Sequence, residues 1–159
     1  MTGPLPTGGR IDGTVHLFPI RVYYEDTDAG GIVYHAAYLH FAERARTEFL
    51  REIAWPHQRL LRETGCIWAV RRLAAEYRQP ARLDDALAVA TTLRDCRGAS
   101  VEVLQVISGA AGELARLTVR LAIISATGKP ARMAPSLRSA LMPFLVSQES
   151  SFAPCKSIP

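Results

Sequence analysis

One long stretch of helical periodicity, followed by runs of strand alternation, limits this chain to a sheet packed on a helix. From about His35 to Arg51 the apolar residues Tyr38, Phe41, Ala42, Ala45 and Phe49 fall on one stripe, with Glu43, Arg44, Glu48 and Arg51 elsewhere. The small residues Ala42 and Ala45 let such a helix sit close to another layer. Trp55-Pro56 breaks or kinks it, because proline lacks the N–H that a helix interior needs. The helical pattern resumes through Gln58 to Thr64, and Gly65 is a natural stop.

On either side the period is two. His16 to Glu25 alternates, with Phe18, Ile20, Val22 and Tyr24 on one face, and Pro19 marks an edge or a bulge near its start. After the helix, Cys66 to Arg78 places Ile67, Ala69, Leu73, Ala75 and Tyr77 on one side. Leu87, Val89, Thr91 and Leu93 alternate next, then Val101, Val103 and Ile107, then Leu117, Val119, Leu121 and Ile123. Arg97-Gly98 and residues 108–112 are hairpin-length connectors, so these strands are antiparallel neighbours. A last short helix is expected from Pro135 to about Leu145. The reading is an α+β domain over residues 15–146, with five antiparallel strands wrapped around one long helix. Residues 1–14 are expected to form a flexible Gly- and Pro-rich arm, and 147–159 a loose tail. A sheet of this size leaves edges to cover, which favours a homodimer or a tetramer of dimers.

At 159 residues, 48% of them hydrophobic, the chain has enough apolar mass for one core. Its 19 basic and 15 acidic residues leave a net charge of +4, mild enough to suit a small anionic ligand. The arginines, among them Arg44, Arg46, Arg51, Arg71, Arg72, Arg78, Arg82, Arg94 and Arg97, are scattered rather than gathered into a stripe, which argues against nucleic acid. Cys66, Cys96 and Cys155 lack metal-ligand spacing and read as thiols of a reducing compartment. No apolar run is long enough for a membrane span, and residues 1–14 lack a signal-peptide layout. The expected address is cytoplasmic, with peripheral membrane association compatible; neither a metal nor a cofactor is expected.

The chemically informative stretch lies between the first strand and the long helix, Tyr24-Glu25-Asp26-Thr27-Asp28-Ala29-Gly30-Gly31-Ile32-Val33-Tyr34-His35. Two glycines let backbone approach a ligand. The helix start beyond them offers unpaired N–H groups and a partial positive charge, the kind of donors that stabilise an anionic tetrahedral intermediate. A carboxylate a few residues upstream can attack a carbonyl or activate water. The parts of an acyl-transfer site are therefore present without a Ser or Cys nucleophile. The same residues can also do no more than cap a helix and close a loop.

The run from Arg21 to His35, followed by Phe41-Ala42-Glu43-Arg44-Ala45-Arg46-Thr47-Glu48, resembles the YbgC-type acyl-CoA thioesterases of the 4-hydroxybenzoyl-CoA thioesterase-like hotdog family. Glu76-Tyr77, Pro80-Ala81-Arg82-Leu83-Asp84-Asp85 and Arg97-Gly98-Ala99-Ser100 extend the likeness, which runs from about Leu17 to Leu145. It implies the hotdog fold and hydrolysis of a short-chain or aromatic acyl-CoA to free acid and CoA, without a cofactor. By position, Asp28 matches the family's catalytic aspartate, as nucleophile or general base. Tyr34 and His35 match the helix start whose backbone N–H groups polarise the thioester oxygen, and the His35 imidazole is of the type that suits proton transfer. Gly31 belongs to the substrate loop. Arg97, Ser100 and Arg82, with Lys129 behind them, are candidates for the coenzyme phosphates, since guanidinium forks suit phosphate. Asp26 is expected to orient the loop, and Glu43 is the reserve carboxylate. An acyl carrier protein is a second candidate partner. The resemblance also suggests the Tol–Pal association of Gram-negative relatives. The competing readings are a non-catalytic acyl-CoA or acyl-carrier-protein binding module, and a hotdog dehydratase whose histidine-centred motif is absent here.

Overall fold

The computed structural model describes residues 7–146. Two short strands, β1 (Arg10–Asp12) and β2 (Val15–Arg21), precede a 3-10 turn at Tyr24–Asp26 and the long helix α1 (Ala37–Glu52). A second helix, α2 (His57–Thr64), leads into β3 (Cys66–Tyr77), β4 (Ala86–Cys96), β5 (Ser100–Gly109) and β6 (Gly112–Ser125). The helix α3 (Pro135–Leu141) and a 3-10 turn at Met142–Phe144 close the described chain. The strands form one antiparallel sheet in the order β1-β2-β4-β5-β6-β3.

The helical break falls where proline demands it. α1 ends at Glu52, Ala54 takes a positive φ of 60°, and Pro56 stands at the N-cap of α2. Gly65 ends α2 in the left-handed conformation, φ 67°. The sheet has one strand more than the five expected. Arg10–Asp12 folds back on β2 through Gly13-Thr14, a two-residue loop that the left-handed Gly13 (φ 59°) permits. The Gly- and Pro-rich composition of the N-terminal segment hid that hairpin. The tail expected over 147–159 and the first six residues of the arm lie outside the described residues.

Residues opposite one another in an antiparallel pair share a face, which fixes the inner side of the sheet. Leu87, Val89, Thr91 and Leu93 of β4 pair with Ile20, Phe18 and His16 of β2 and with Ile107, Gln105 and Val103 of β5. Against that face α1 buries Ala37, Tyr38, Phe41, Ala42, Ala45 and Phe49. In β3 the expected face changes halfway. Cys66, Trp68 and Val70 pair with Ser125, Ile123 and Leu121, a bulge inserts Arg71, and then Leu73, Ala75 and Tyr77 pair with Val119, Leu117 and Ala115. The extra residue reverses the alternation, so Ile67 and Ala69 point outward, not inward with Leu73, Ala75 and Tyr77 as expected. Ile67 is 46% exposed.

His16 is fully buried on the inner face. Its Nε2–H donates to the Gly8 carbonyl at 2.8 Å, which leaves Nδ1 buried without a partner. Burial holds its pKa below the ordinary 6.5, outweighing the Gly8 hydrogen bond and the Glu52 and Glu48 carboxylates. The unfolded chain therefore takes up this proton at higher pH than the folded one. The stability tied to His16 is complete above about pH 6.5 and is lost as pH falls below it. His16→Gln keeps the donor and removes the titration. Its urea midpoint is expected to vary less than the wild type's between about pH 7.5 and 5.5; equal slopes for the two proteins would contradict this assignment.

Candidate active site

The loop between β2 and α1 is closed by its own backbone. Thr27 and Val33 form a β-bridge, the Asp28 N–H donates to the Ile32 carbonyl at 3.0 Å, and the Gly31 N–H donates to the Asp28 carbonyl at 3.0 Å. Gly31 sits at φ +74°, a conformation that suits glycine. Asp26 anchors this loop from beneath. It is 5% exposed, its Oδ2 accepts the Tyr23 N–H at 2.8 Å, and its carbonyl accepts the Tyr34 N–H at 2.8 Å. That is the orienting part expected of it.

Asp28, two residues on, is exposed. Its Oδ1 accepts the Gly30 N–H at 2.8 Å, while Oδ2 has no partner among the described residues. A methyl group at Gly30 would come within 3.0 Å of the same Oδ1, so glycine there keeps the carboxylate in place. Asp28 lines an open groove of about 520 Å³ with Tyr24, Thr27, Ala29, Gly31 and Leu83. Arg82 reaches the rim, its Nη1 donating to the Gly31 carbonyl at 3.4 Å.

A few residues along the chain from this groove, α1 begins without a side-chain cap. Ala36 occupies the cap position and there is no acidic residue in the first turn. The amides of Tyr34 and Ala37 are engaged, by the Asp26 and Tyr34 carbonyls. Those of His35 and Ala36 have no partner among the described residues and are free donors at this end of the helix. Of the two helix-start residues singled out in the sequence, then, His35 offers a free backbone N–H and Tyr34 does not. The His35 ring lies against Tyr34 (centroids 4.3 Å apart) and edge-on to Tyr77 (6.4 Å), and no hydrogen bond joins it to Asp28 among the described residues.

Tyr77 is the participant that sequence reasoning passed over. From the far end of β3 its hydroxyl donates to the His35 carbonyl at 2.9 Å. Desolvation pushes that hydroxyl further above its ordinary pKa, so it remains a donor. It also packs edge-on against Tyr38, whose oxygen accepts the Ala81 N–H at 2.9 Å. The helix start is thus fixed from both sides by contacts more than forty residues away in sequence.

Arg97 and Ser100 lie elsewhere, in the β4–β5 hairpin, where the Arg97 N–H donates to the Ser100 carbonyl at 2.8 Å and Arg97 Nε pairs with Asp95 at 2.7 Å. They do not line the Asp28 groove of the same chain. Glu43, on α1, is about half exposed and pairs with Arg46. Among the described residues no cluster of three or more His, Cys, Asp and Glu could hold a metal ion, and no helix is long and apolar enough to cross a membrane.

Residues 22–141 match the profile of the Thioesterase-like superfamily. Over 107 residues the chain is 48% identical to the acyl-CoA thioesterase YbgC of Haemophilus influenzae, an alignment spanning 67% of this chain and 79% of that one. It superposes on the crystal structure of a probable thioesterase from Bartonella henselae with a TM-score of 0.71 and 35% identity, over 76% of this chain and 99% of that one. It superposes on a 4-hydroxybenzoyl-CoA thioesterase variant bound to 4-hydroxybenzoyl-CoA with a TM-score of 0.76, over 80% and 99% of the two chains; at 15% identity this is a likeness of fold alone.

Proposed function

The chain belongs to the Thioesterase-like superfamily, has its hotdog fold and is an acyl-CoA thioesterase, and from that membership we propose that it hydrolyses short-chain or aromatic acyl-CoAs with Asp28 as its catalytic carboxylate. The observation that carries this reading is the pairing of an exposed, half-partnered carboxylate with the uncapped start of α1. A thioester carbonyl placed between them meets Asp28 on one side and the free His35 and Ala36 N–H groups on the other. As the carbonyl becomes tetrahedral, its oxygen gains charge that those N–H groups and the helix dipole stabilise. Asp28 acts as general base to water or attacks the carbonyl itself, and the CoA thiolate leaves.

Tyr77 serves as a positioning residue in this scheme: its hydrogen bond to the His35 carbonyl fixes the peptide that carries the free Ala36 N–H. Tyr77→Phe keeps the ring contacts and removes one hydrogen bond. The expected result is a kcat lower by about three- to tenfold with KM little changed, the size of one hydrogen bond of about 1 kcal/mol felt mainly in the transition state. A rise in KM at constant kcat would instead make Tyr77 part of the binding surface.

The site also reads as half of a pair. β3 is a 12-residue strand at the edge of the sheet. It exposes Ile67, Val70, Leu73 and Tyr77 to between 37% and 50%. An unpaired edge of that length is a template for another strand. We propose that β3 of a second copy pairs with it antiparallel, giving a homodimer with a continuous sheet. Two-fold pairing puts the Tyr77 end of one β3 beside the Cys66 end of the other. The coenzyme's phosphates are assigned to Arg82 in this reading, with Arg97 and Ser100 reaching them only from another copy. The buried free thiols Cys66 and Cys96 agree with a cytoplasmic address.

The test is a thiol-release assay across acyl-CoAs of rising length, aromatic acyl-CoAs and acyl-carrier-protein thioesters, alongside sedimentation velocity. Turnover of short-chain or aromatic acyl-CoA by a dimer or a dimer-based tetramer is expected. Binding without turnover across the whole panel would overturn the proposal.

A further inference from the structure

Between α1 and the inner face of the sheet lies a second cavity, of about 80 Å³, that shares no residue with the Asp28 groove. Its walls are mostly apolar, formed by Phe49, Leu93, Val101, Val103, Leu121 and Leu141 among others, with polar groups from Glu43, His57 and Thr91 as well as from Arg46 and Trp68. Only the last two carry buried polar atoms without a partner among the described residues. Arg46, whose side chain is nine-tenths buried, donates from Nη1 to Gln105 Oε1 at 2.7 Å and from Nη2 to Glu43. Its Nε–H has no partner. The indole N–H of Trp68 is likewise buried and without a partner. Buried donors are almost always satisfied, and two left open on the wall of one cavity call for an acceptor inside it.

The cavity's place in the fold says what that occupant is. Trp68 and Val70, on its wall, belong to the Cys66 end of β3, while Tyr77, at the other end, touches His35 beside the Asp28 groove. The proposed antiparallel pairing of β3 with its copy would bring the cavity of one chain toward the Asp28 groove of the other across the seam. We infer that the cavity receives the acyl end of the thioester held at the neighbouring copy's Asp28, and that Arg46 and Trp68 select a short acyl group carrying an uncharged oxygen, a hydroxyl or a keto group. This rests on the thioesterase reading and on the β3 pairing.

Size and charge set both limits. A dry cavity that binds benzene is nearer 150 Å³. At about half of that, 80 Å³ favours a short acyl group over a ring or a long chain. Both open groups are donors, so the ligand must bring the acceptor. The charge of Arg46 is already answered by Glu43, so a carboxylate would be buried beside another carboxylate. A neutral oxygen has neither problem.

The experiment compares kcat/KM for 3-hydroxybutyryl-CoA, acetoacetyl-CoA, butyryl-CoA and succinyl-CoA. The oxygenated, uncharged pair is expected to exceed butyryl-CoA by roughly tenfold or more, because a site built to hydrogen-bond an oxygen rejects the analogue lacking it. Trp68→Phe removes one donor and keeps an aromatic wall, and the ratio is expected to fall several-fold toward one, whatever its absolute rates. Arg46→Lys is expected to act in the same direction. Equal kcat/KM for butyryl- and 3-hydroxybutyryl-CoA in the wild type, or a ratio unmoved in Trp68→Phe, would overturn the inference and leave the donors to water. Tryptophan emission separates this failure from that of the thioesterase reading. If no acyl-CoA is turned over, a shift on adding 3-hydroxybutyryl-CoA but not butyryl-CoA, absent in Trp68→Phe, still supports the cavity's selectivity; no difference between the two ligands removes it.

Discussion

Asp28→Asn is expected to lower kcat by about 10³-fold, within the range of about 10²- to 10⁴-fold typical of losing a positioned acid or base. The substitution is nearly isosteric. The Asn carbonyl can still accept the Gly30 N–H that Oδ1 accepts now, so the closed loop and the start of α1 should keep their geometry. What disappears is the negative charge and the capacity to take a proton or attack carbon. Asp26→Asn is the informative contrast. Asp26 is buried under the loop, accepting the Tyr23 N–H, and it reaches the substrate only through the loop it supports. Its loss is expected to appear as about 1 kcal/mol of stability with turnover reduced several-fold at most. The check is single-turnover thiol release with thermal unfolding on both variants. If Asp28→Asn turned over as fast as the wild type, the assignment of the carboxylate would fail, whichever of the two chemical routes it serves.

Gln105→Leu is expected to destabilise the fold by about 3 kcal/mol, lowering Tm by roughly 6–12 °C for a chain of this length. Gln105 is fully buried on the inner face of β5. Its Oε1 accepts from Arg46, while its Nε2 donates to the Ala42 carbonyl at 2.9 Å and to Thr91 Oγ1 at 3.0 Å. Leucine fills the same space but leaves part of a nine-tenths buried guanidinium without an acceptor, and an unpaired buried charge is costly. The double variant Arg46→Met/Gln105→Leu removes both halves. It is expected to recover most of the lost stability, since replacing a whole buried polar pair by apolar groups of similar volume is often nearly neutral. A double variant as unstable as the sum of the two single ones would show that the pair is not coupled.

These two residues also mark how far the sequence could be read. Asp28 stood out because the chemistry sits in one continuous stretch, where strand end, turn and helix start follow each other within a dozen residues. Arg46 did not, and was counted among scattered arginines. It lies one residue past the apolar Ala45 on α1, and only the approach of Gln105, 59 positions away, turns it into a buried partner. Tyr77 was legible as part of a motif but not as a contact of His35, for the same reason. Glu48 lies four residues from Arg44, a spacing at which helical side chains meet, yet in the fold it pairs with Arg51.

What the sequence determined by itself is the set of elements and the placing of the candidate site between β2 and α1. Periodicity is a local property: the 3.6-residue stripe of α1, the alternation of β4, β5 and β6, the break at Pro56 and the stop at Gly65 are each written within a few neighbours. The tertiary structure decided the rest. A single bulge at Arg71 reverses which side of β3 faces the core, and two residues at Gly13-Thr14 fold an extra strand onto the sheet. It left the His35 amide free while engaging that of Tyr34, and left buried donors of Arg46 and Trp68, which line the cavity under α1, without partners among the described residues. Such outcomes depend on register and on residues brought together from dozens of positions apart. A one-residue shift, which costs nothing in composition or local propensity, changes every contact that follows it.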